Sequence, residues 1–189
     1  DTANAIRPAG RHYDYTVDSS VLAAYVQWRR PLAPQWSLEA GLRLEQVRYD
    51  YDNRMINGNT DENGIPCPGG CLYSRPADRS DDFSELAPRL GLVWRPRTGV
   101  AAYASLARGF RAPETTELYR LQRQQSIADL EAESIDAAEI GLRIRHRSAS
   151  LDIAAFQMDK EDVILRDSLG LNVSGGRTRH RGIEYEAAW

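Results

Sequence analysis

Few residues in this 189-residue chain stand where they could do chemistry. His12, His146 and His180 are dispersed, and none has a second ligand at metal-site spacing. Cys67 and Cys71 are the two cysteines and stand in the run CPGGC. A pair this close, with no second pair and no nearby histidine, is a poor zinc site. Bridged by Pro68-Gly69-Gly70, the two can approach in a tight turn, so a small loop disulfide and an oxidising compartment are expected. The run NTDENG sets Asn59, Asp61, Asn63 and Gly64 at the spacing of the first half of a calcium loop. The twelfth position, where a bidentate glutamate belongs, is Gly70, so a plain polar loop is expected instead. No phosphate loop, nucleophile elbow or kinase signature occurs. The expectation is a protein that is not an enzyme, with no catalytic residues, metal site or cofactor. The net charge of -3 points away from a nucleic-acid binder.

The elements that would hold these residues are strands. From Trp36 to Glu45 every second residue is apolar: Trp36, Leu38, Ala40, Leu42 and Leu44 alternate with Ser37, Glu39, Gly41, Arg43 and Glu45. Alternate side chains of a strand point to opposite faces, whereas a helix would scatter those leucines around its circumference. Leu22, Ala24, Val26 and Trp28 repeat the pattern, as do Leu90, Leu92 and Trp94. So do Ala138, Ile140, Leu142 and Ile144; Leu151, Ile153 and Ala155; and Ile183, Tyr185, Ala187 and Trp189. The segment from Val100 to Phe110 is strand-like but too rich in alanine to fix its facing. About seven strands result, each near the ~9–11 residues that cross a bilayer at a tilt.

The connections alternate in length. Short ones fall at Arg30 to Gln35, Pro96 to Gly99 and Arg147 to Ala149. Long ones fall at Asp52 to Asp82, Pro113 to Glu133 and Arg166 to Gly176. That order marks an antiparallel up-and-down transmembrane β-barrel, short turns on one rim and long loops on the other. Trp28, Trp36, Trp94 and Trp189 all fall near the short-turn rim with the parity of the apolar face, as an interfacial girdle requires. Val47 breaks the parity of Leu44, which predicts that the strand leaves the bilayer or bulges near Gln46. No run reaches the roughly 18 apolar residues of a membrane helix, a criterion that does not bear on barrels.

Several stretches then resemble one family. The run YASLARGFRAPETTELY, Tyr103 to Tyr119, resembles the strand end of TonB-dependent outer-membrane receptors that carries an arginine-glycine-phenylalanine-arginine-alanine-proline motif. LEAESIDAAEIGLR, Leu130 to Arg143, is similar to the family's entry into the next strand, with Ala132 in place of the usual proline. DIAAFQMDKEDVILRD, Asp152 to Asp167, resembles the strand and loop that follow. NVSGGRTRHRGIEYEAAW, Asn172 to Trp189, resembles an asparagine-rich turn followed by Arg179, Gly182 and Glu184 of the motif arginine-x-x-glycine-x-glutamate. The four stand in consistent order. Before Phe83 the likeness is one of pattern only.

The resemblance implies a 22-stranded barrel closed around an N-terminal plug, in the cell outer membrane, taking up a scarce nutrient, most often a ferric siderophore. On it, residues 1–189 are part of the barrel domain, with the plug and the remaining strands absent. TonB would act through the missing N-terminal part. The chain opens Asp-Thr-Ala-Asn, so any secretion signal is expected upstream. Lipid-facing positions would be Leu38, Leu42, Leu44, Ile140, Leu142, Ile144, Ile153 and Ile183; lumen-facing ones Arg43, Glu45, Glu139, Arg143, Glu184 and Glu186. Charge belongs inside because a midplane arginine on the lipid face costs roughly 2–4 kcal/mol. Substrate capture would fall to loop residues, with Arg54, Tyr73, Arg75, Arg79, Tyr119, Arg120 and Arg123 as candidates alongside Tyr49 and Tyr51. Arginine and tyrosine suit an anionic, flat aromatic chelate. Open strand edges are expected to pair, including with a second copy. The competing reading is a secreted β-sandwich that binds or adheres.

Overall fold

A computed structural model describes residues 6–123 and 125–189; Asp1 to Ala5 and Gln124 lie outside it. Seven long strands form one antiparallel sheet in chain order: β1 (Tyr15–Ala33), β2 (Trp36–Asn53), β4 (Arg79–Arg97), β5 (Val100–Arg111), β7 (Glu133–His146), β8 (Ala149–Arg166) and β9 (Asn172–Ala188). Two short strands, β3 (Tyr73–Ser74) and β6 (Leu121–Gln122), pair with each other, and one helix, α1 (Thr115–Tyr119), precedes β6. Each long strand bonds only to the strands before and after it, and β1 and β9 are the open edges.

Register fixes what shares a face. Leu38 lies opposite Leu92 on β4, Leu90 opposite Leu106 on β5, Ala104 opposite Ile140 on β7, and Leu142 opposite Ile153 on β8. Leu42, Leu44, Ile144 and Ile183 join the same face. The pairing also settles the facing of β5: Val100, Ala102, Ala104 and Leu106 look to the apolar side. Arg43, Glu45, Glu139, Arg143, Glu184 and Glu186 share the opposite face.

Nothing among the described residues covers the apolar face. Leu42, Ile140 and Ile183 are 42%, 63% and 75% exposed. A β-sandwich would bury these side chains against a second sheet, so the sandwich reading is set aside. A contiguous apolar surface of this extent is not compatible with a water-facing monomer.

The strands run 12 to 19 residues, longer than the stretch that crosses a bilayer, because they project past the apolar band at the long-loop end. For the same reason the connection expected from Arg166 to Gly176 shrinks to residues 167–171. The strand does not bulge at Gln46: pairing with β1 and β4 is unbroken there. Val47 is instead buried on the charged face, the first of a series with Tyr49 and Tyr51 that leads away from the band. The short turns are tight, residues 34–35, 98–99 and 147–148. Trp36 and Trp94 stack across β2 and β4 with ring centroids 5.7 Å apart.

Candidate functional site

The buried core lies over the charged face at the long-loop end. Leu118 and Tyr119 of α1, with Leu121, Ala128 and Leu130, pack on Tyr51, flanked by Tyr15, Val17, Tyr49, Phe83 and Ile164. Burying these loop residues against strand ends folds the connection of residues 112–132 into a cap. The β3–β6 pair joins the connection of residues 54–78 to that of residues 112–132. Asn59 stitches the same two: its Nδ2 donates to the carbonyls of Cys71 and Tyr73, both at 2.7 Å, and of Arg123, while its Oδ1 accepts from Cys71 N. Cys67 and Cys71 are joined in a disulfide that closes the CPGGC turn. Asp61 Oδ1 accepts the Asn63 and Ile65 backbone N–H groups at 2.9 and 2.8 Å. The side-chain oxygens Asn59 Oδ1 and Asp61 Oδ1 are thus engaged in folding the loop.

Three of the expected capture residues turn out to be structural, Tyr51 of the buried core among them. Arg75 is 2% exposed, and its guanidinium donates to the carbonyls of Ile56 (2.7 Å), His12 (3.1 Å), Thr60 (2.9 Å) and Asp61 (3.1 Å) and to Thr60 Oγ1. Burial pulls its pKa down, and the ring of carbonyls holds the charge. Such an arginine, buried among loop carbonyls, organises the loop instead of facing a ligand. Tyr119 is fully buried, stacks on Tyr51 at 4.3 Å and donates to Asp81 Oδ2 at 2.7 Å. Burial, then that bond, raises its pKa. Arg79 is committed to Asp81 by an ion pair.

The remaining candidates stay available. Arg120 and Arg123 are exposed and have no carboxylate partner among the described residues; Arg120 Nε donates to Tyr15 Oη at 3.2 Å. Arg54 is exposed, with Asp14 at 3.9 Å. Tyr73 is half-buried and stacks on His12 with ring centroids 4.0 Å apart, with the Tyr13 ring edge-on. Tyr13 is pushed up to about 12 by its burial and by Tyr73, so it is a neutral donor, to the Leu121 carbonyl. Unpaired guanidinium groups beside aromatic rings can hold an anionic, flat ligand.

Sequence reasoning missed the anchor beneath the cap. Glu133, at the start of β7, accepts from Arg111 at 3.0 Å, from the Ile164 N–H at 2.9 Å and from Lys160 at 3.4 Å. Arg111 also binds Glu117, whose carboxylate caps α1 by accepting Glu114 N–H at 2.7 Å. Arg111 and Glu117 belong to the run RGFRAPETTELY, so its charged letters tie a strand end to a helix. The clue was there: an arginine and a glutamate six apart around Pro113, with Glu133 opposite Arg111 in the β5–β7 register.

Farther from the cap the charged face is laced by pairs. Arg43 binds Glu45, and Tyr103 donates to Glu139 at 2.7 Å with the Arg143 guanidinium 4.9 Å from its ring centroid. Glu184 and Glu186 are exposed near the β9 edge.

Comparison with known proteins places this geometry. The model of the family "TonB dependent receptor-like, beta-barrel" matches residues 1–189. The hemoglobin and hemoglobin-haptoglobin-binding protein B of Haemophilus influenzae is 28% identical over an alignment of 126 residues that covers 56% of this chain and 12% of that protein. The ferric-catecholate import receptor Fiu of E. coli K12 superposes with a TM-score of 0.69 at 18% identity, covering 93% of this chain and 26% of its own. The Serratia marcescens hemophore receptor HasR, solved with its hemophore HasA and heme, gives 0.66 at 18% identity, covering 89% and 31%. The chain therefore spans about an eighth to a third of the proteins it matches.

Proposed function

The chain belongs to the TonB-dependent receptor-like β-barrel family, a family of outer-membrane transport receptors, and from that premise we propose that it is one wall of a receptor barrel that captures a ferric siderophore. Its apolar face, with Leu38, Leu42, Leu44, Ile140, Leu142, Ile144, Ile153 and Ile183, then meets lipid. The opposite face, with Arg43, Glu45, Glu139, Arg143, Glu184 and Glu186, lines the water-filled interior. The β1 and β9 edges continue into further strands of the same barrel, and a plug and a TonB-engaging segment lie in parts of the receptor outside these strands. The folded cap faces the outside of the cell and makes first contact with cargo. The observation that carries this reading is the single sheet with one uncovered apolar face, short turns at one end and a packed cap at the other.

Siderophore is favoured as cargo by the uncommitted cations of the cap. Arg120 and Arg123 have no carboxylate partner among the described residues and share the cap with Tyr13 and Tyr73, and guanidinium and aromatic groups together suit an anionic catecholate chelate. Capture is followed by passage that TonB drives.

The test is fluorescence titration of the full-length receptor in nanodiscs with a ferric catecholate, with heme and with cobalamin. Saturable quenching by the ferric catecholate, weakened about tenfold in Arg120→Gln/Arg123→Gln, is the expected result. Saturation by heme alone moves the cargo to heme, and saturation by cobalamin alone removes the iron assignment.

A further inference from the structure

The apolar face does not end alike at its two rims. Toward the cap it gives way to a mixed belt in which arginines meet carboxylates: Arg48 lies 3.1 Å from Asp50, Arg108 lies 3.6 Å from Asp136, and Arg179 pairs with Asp159. Toward the short turns no carboxylate occurs on this face among the described residues. Basic side chains stand at that rim instead, each contributed by a different hairpin. Arg30 of β1 lies opposite Leu38 and so shares the apolar face. A register shift between Trp94 and Arg97 returns Arg97 to that face, opposite Val100. Without the shift, its odd parity relative to Trp94 would turn it to the charged side. Arg147 occupies the turn between β7 and β8. Arg30, Arg97 and Arg147 are exposed, and none has an acidic partner among the described residues.

Two features mark this rim as more than solvated surface. Arg147 sits at φ +49°, the left-handed region where glycine or asparagine costs less. A long cation held in a conformation that disfavours it points to work by its side chain. Trp28, Trp36 and Trp94 lie exposed on the same face just inside the arginines, at the level where indoles settle among head groups.

We propose that the short-turn rim grips the phosphates of anionic phospholipids in the leaflet it meets, through Arg30, Arg97 and Arg147. This rests on the reading of the sheet as a barrel wall. Neighbouring strands lie about 4.8 Å apart, so successive hairpins present one guanidinium about every 10 Å in a row. A row in the membrane plane suits many separate head groups, not one compact ligand. The guanidinium fork matches phosphate oxygens in two-point hydrogen bonds, which lysine cannot form. The rim then fixes the depth and tilt of the wall, with the tryptophans as the apolar half of the anchor.

The test uses the full-length receptor, reconstituted into bilayers of phosphatidylcholine with one third phosphatidylglycerol, extracted and weighed by native mass spectrometry with its retained lipids. Wild type should keep phosphatidylglycerol well above its share in the bilayer. Neutralising Arg30, Arg97 and Arg147 to Gln should return the retained share of phosphatidylglycerol to the one third present in the bilayer. The cap variant Arg120→Gln/Arg123→Gln should leave it unchanged. Millimolar inorganic phosphate should not displace the lipid; displacement would mean that the rim holds free phosphate, and the proposal would fall. Retention of the two lipids in the bilayer's own one-to-two proportion by a wild-type barrel that is folded on gel-shift assay overturns the lipid site and leaves the barrel reading intact. A wild type that never enters bilayers overturns both.

Discussion

Tyr51 and Tyr119 stack at 4.3 Å beneath the cap, yet their hydroxyls are placed differently. Tyr119 donates to Asp81, whereas the buried hydroxyl of Tyr51 has no partner among the described residues. A buried polar atom without a partner costs the free energy of its desolvation, and its removal costs nothing. Tyr51→Phe should therefore leave the thermal midpoint of the detergent-solubilised receptor unchanged or higher. Tyr119→Phe strips a charged acceptor of its donor and should cost about 2 kcal/mol. Equal destabilisation by the two would show that Tyr51 has a partner after all. Arg75 gives the companion lesson about reading single residues. In the sequence it is one loop arginine among many and chemically a fair ligand contact. Burial converts it into a hub for carbonyls, and only the folded loop reveals which arginine is spent in this way.

At the scale of elements, the β5–α1–β7 unit shows why some parts were legible and others not. Seven strands could be read because alternation is a local consequence of the pleat, and each had enough apolar side chains of one parity to declare itself. β5 declared its existence but not its facing, since alanine fits either side; pairing with Ile140 and Leu142 decided it. The cap had no such signal. Leu118, Tyr119, Leu121 and Leu130 obey no period, and their burial comes from packing of one connection on the ends of distant strands. Below them Glu133 is the pivot. Arg111 first, then the Ile164 N–H and Lys160, hold its carboxyl at about 2 against an ordinary 4.5, although burial opposes them. A depressed carboxyl pKa means stability that is complete above about pH 4.5 and is lost as pH falls through about 2. Hydrogen exchange of residues 112–132 should be constant from pH 8 to 5, once corrected for intrinsic rates, and accelerate between 4.5 and 2. Glu133→Gln should raise exchange at neutral pH and abolish the acid step. An acid step that survives this substitution would place the titration on another group.

For the whole molecule, the decisive quantity is the solvent on each side of the sheet. The apolar residues from Trp36 to Leu44 cover about 26 Å of strand, enough to span most of a hydrocarbon core even when tilted. Water on that side would leave side chains such as Leu42 and Ile140 solvated with no compensating layer; lipid makes the same exposure favourable. The two solvents predict opposite outcomes for one pair of substitutions. Ile140 is 63% exposed at mid-band, and an arginine there would be nearly neutral in water. In a bilayer it should cost about 2–4 kcal/mol and depress insertion. Ser105 lies on the other face, opposite Glu139 in the β5–β7 register. Ser105→Arg would meet a carboxylate across the strand pair in a polar interior, so it should fold with near wild-type stability. Urea unfolding of the receptor in vesicles, read by intrinsic fluorescence, measures both. A large loss for Ile140→Arg beside a small one for Ser105→Arg assigns hydrocarbon to the apolar face. Equal losses would remove that assignment, and with it the orientation of every residue placed in the lumen.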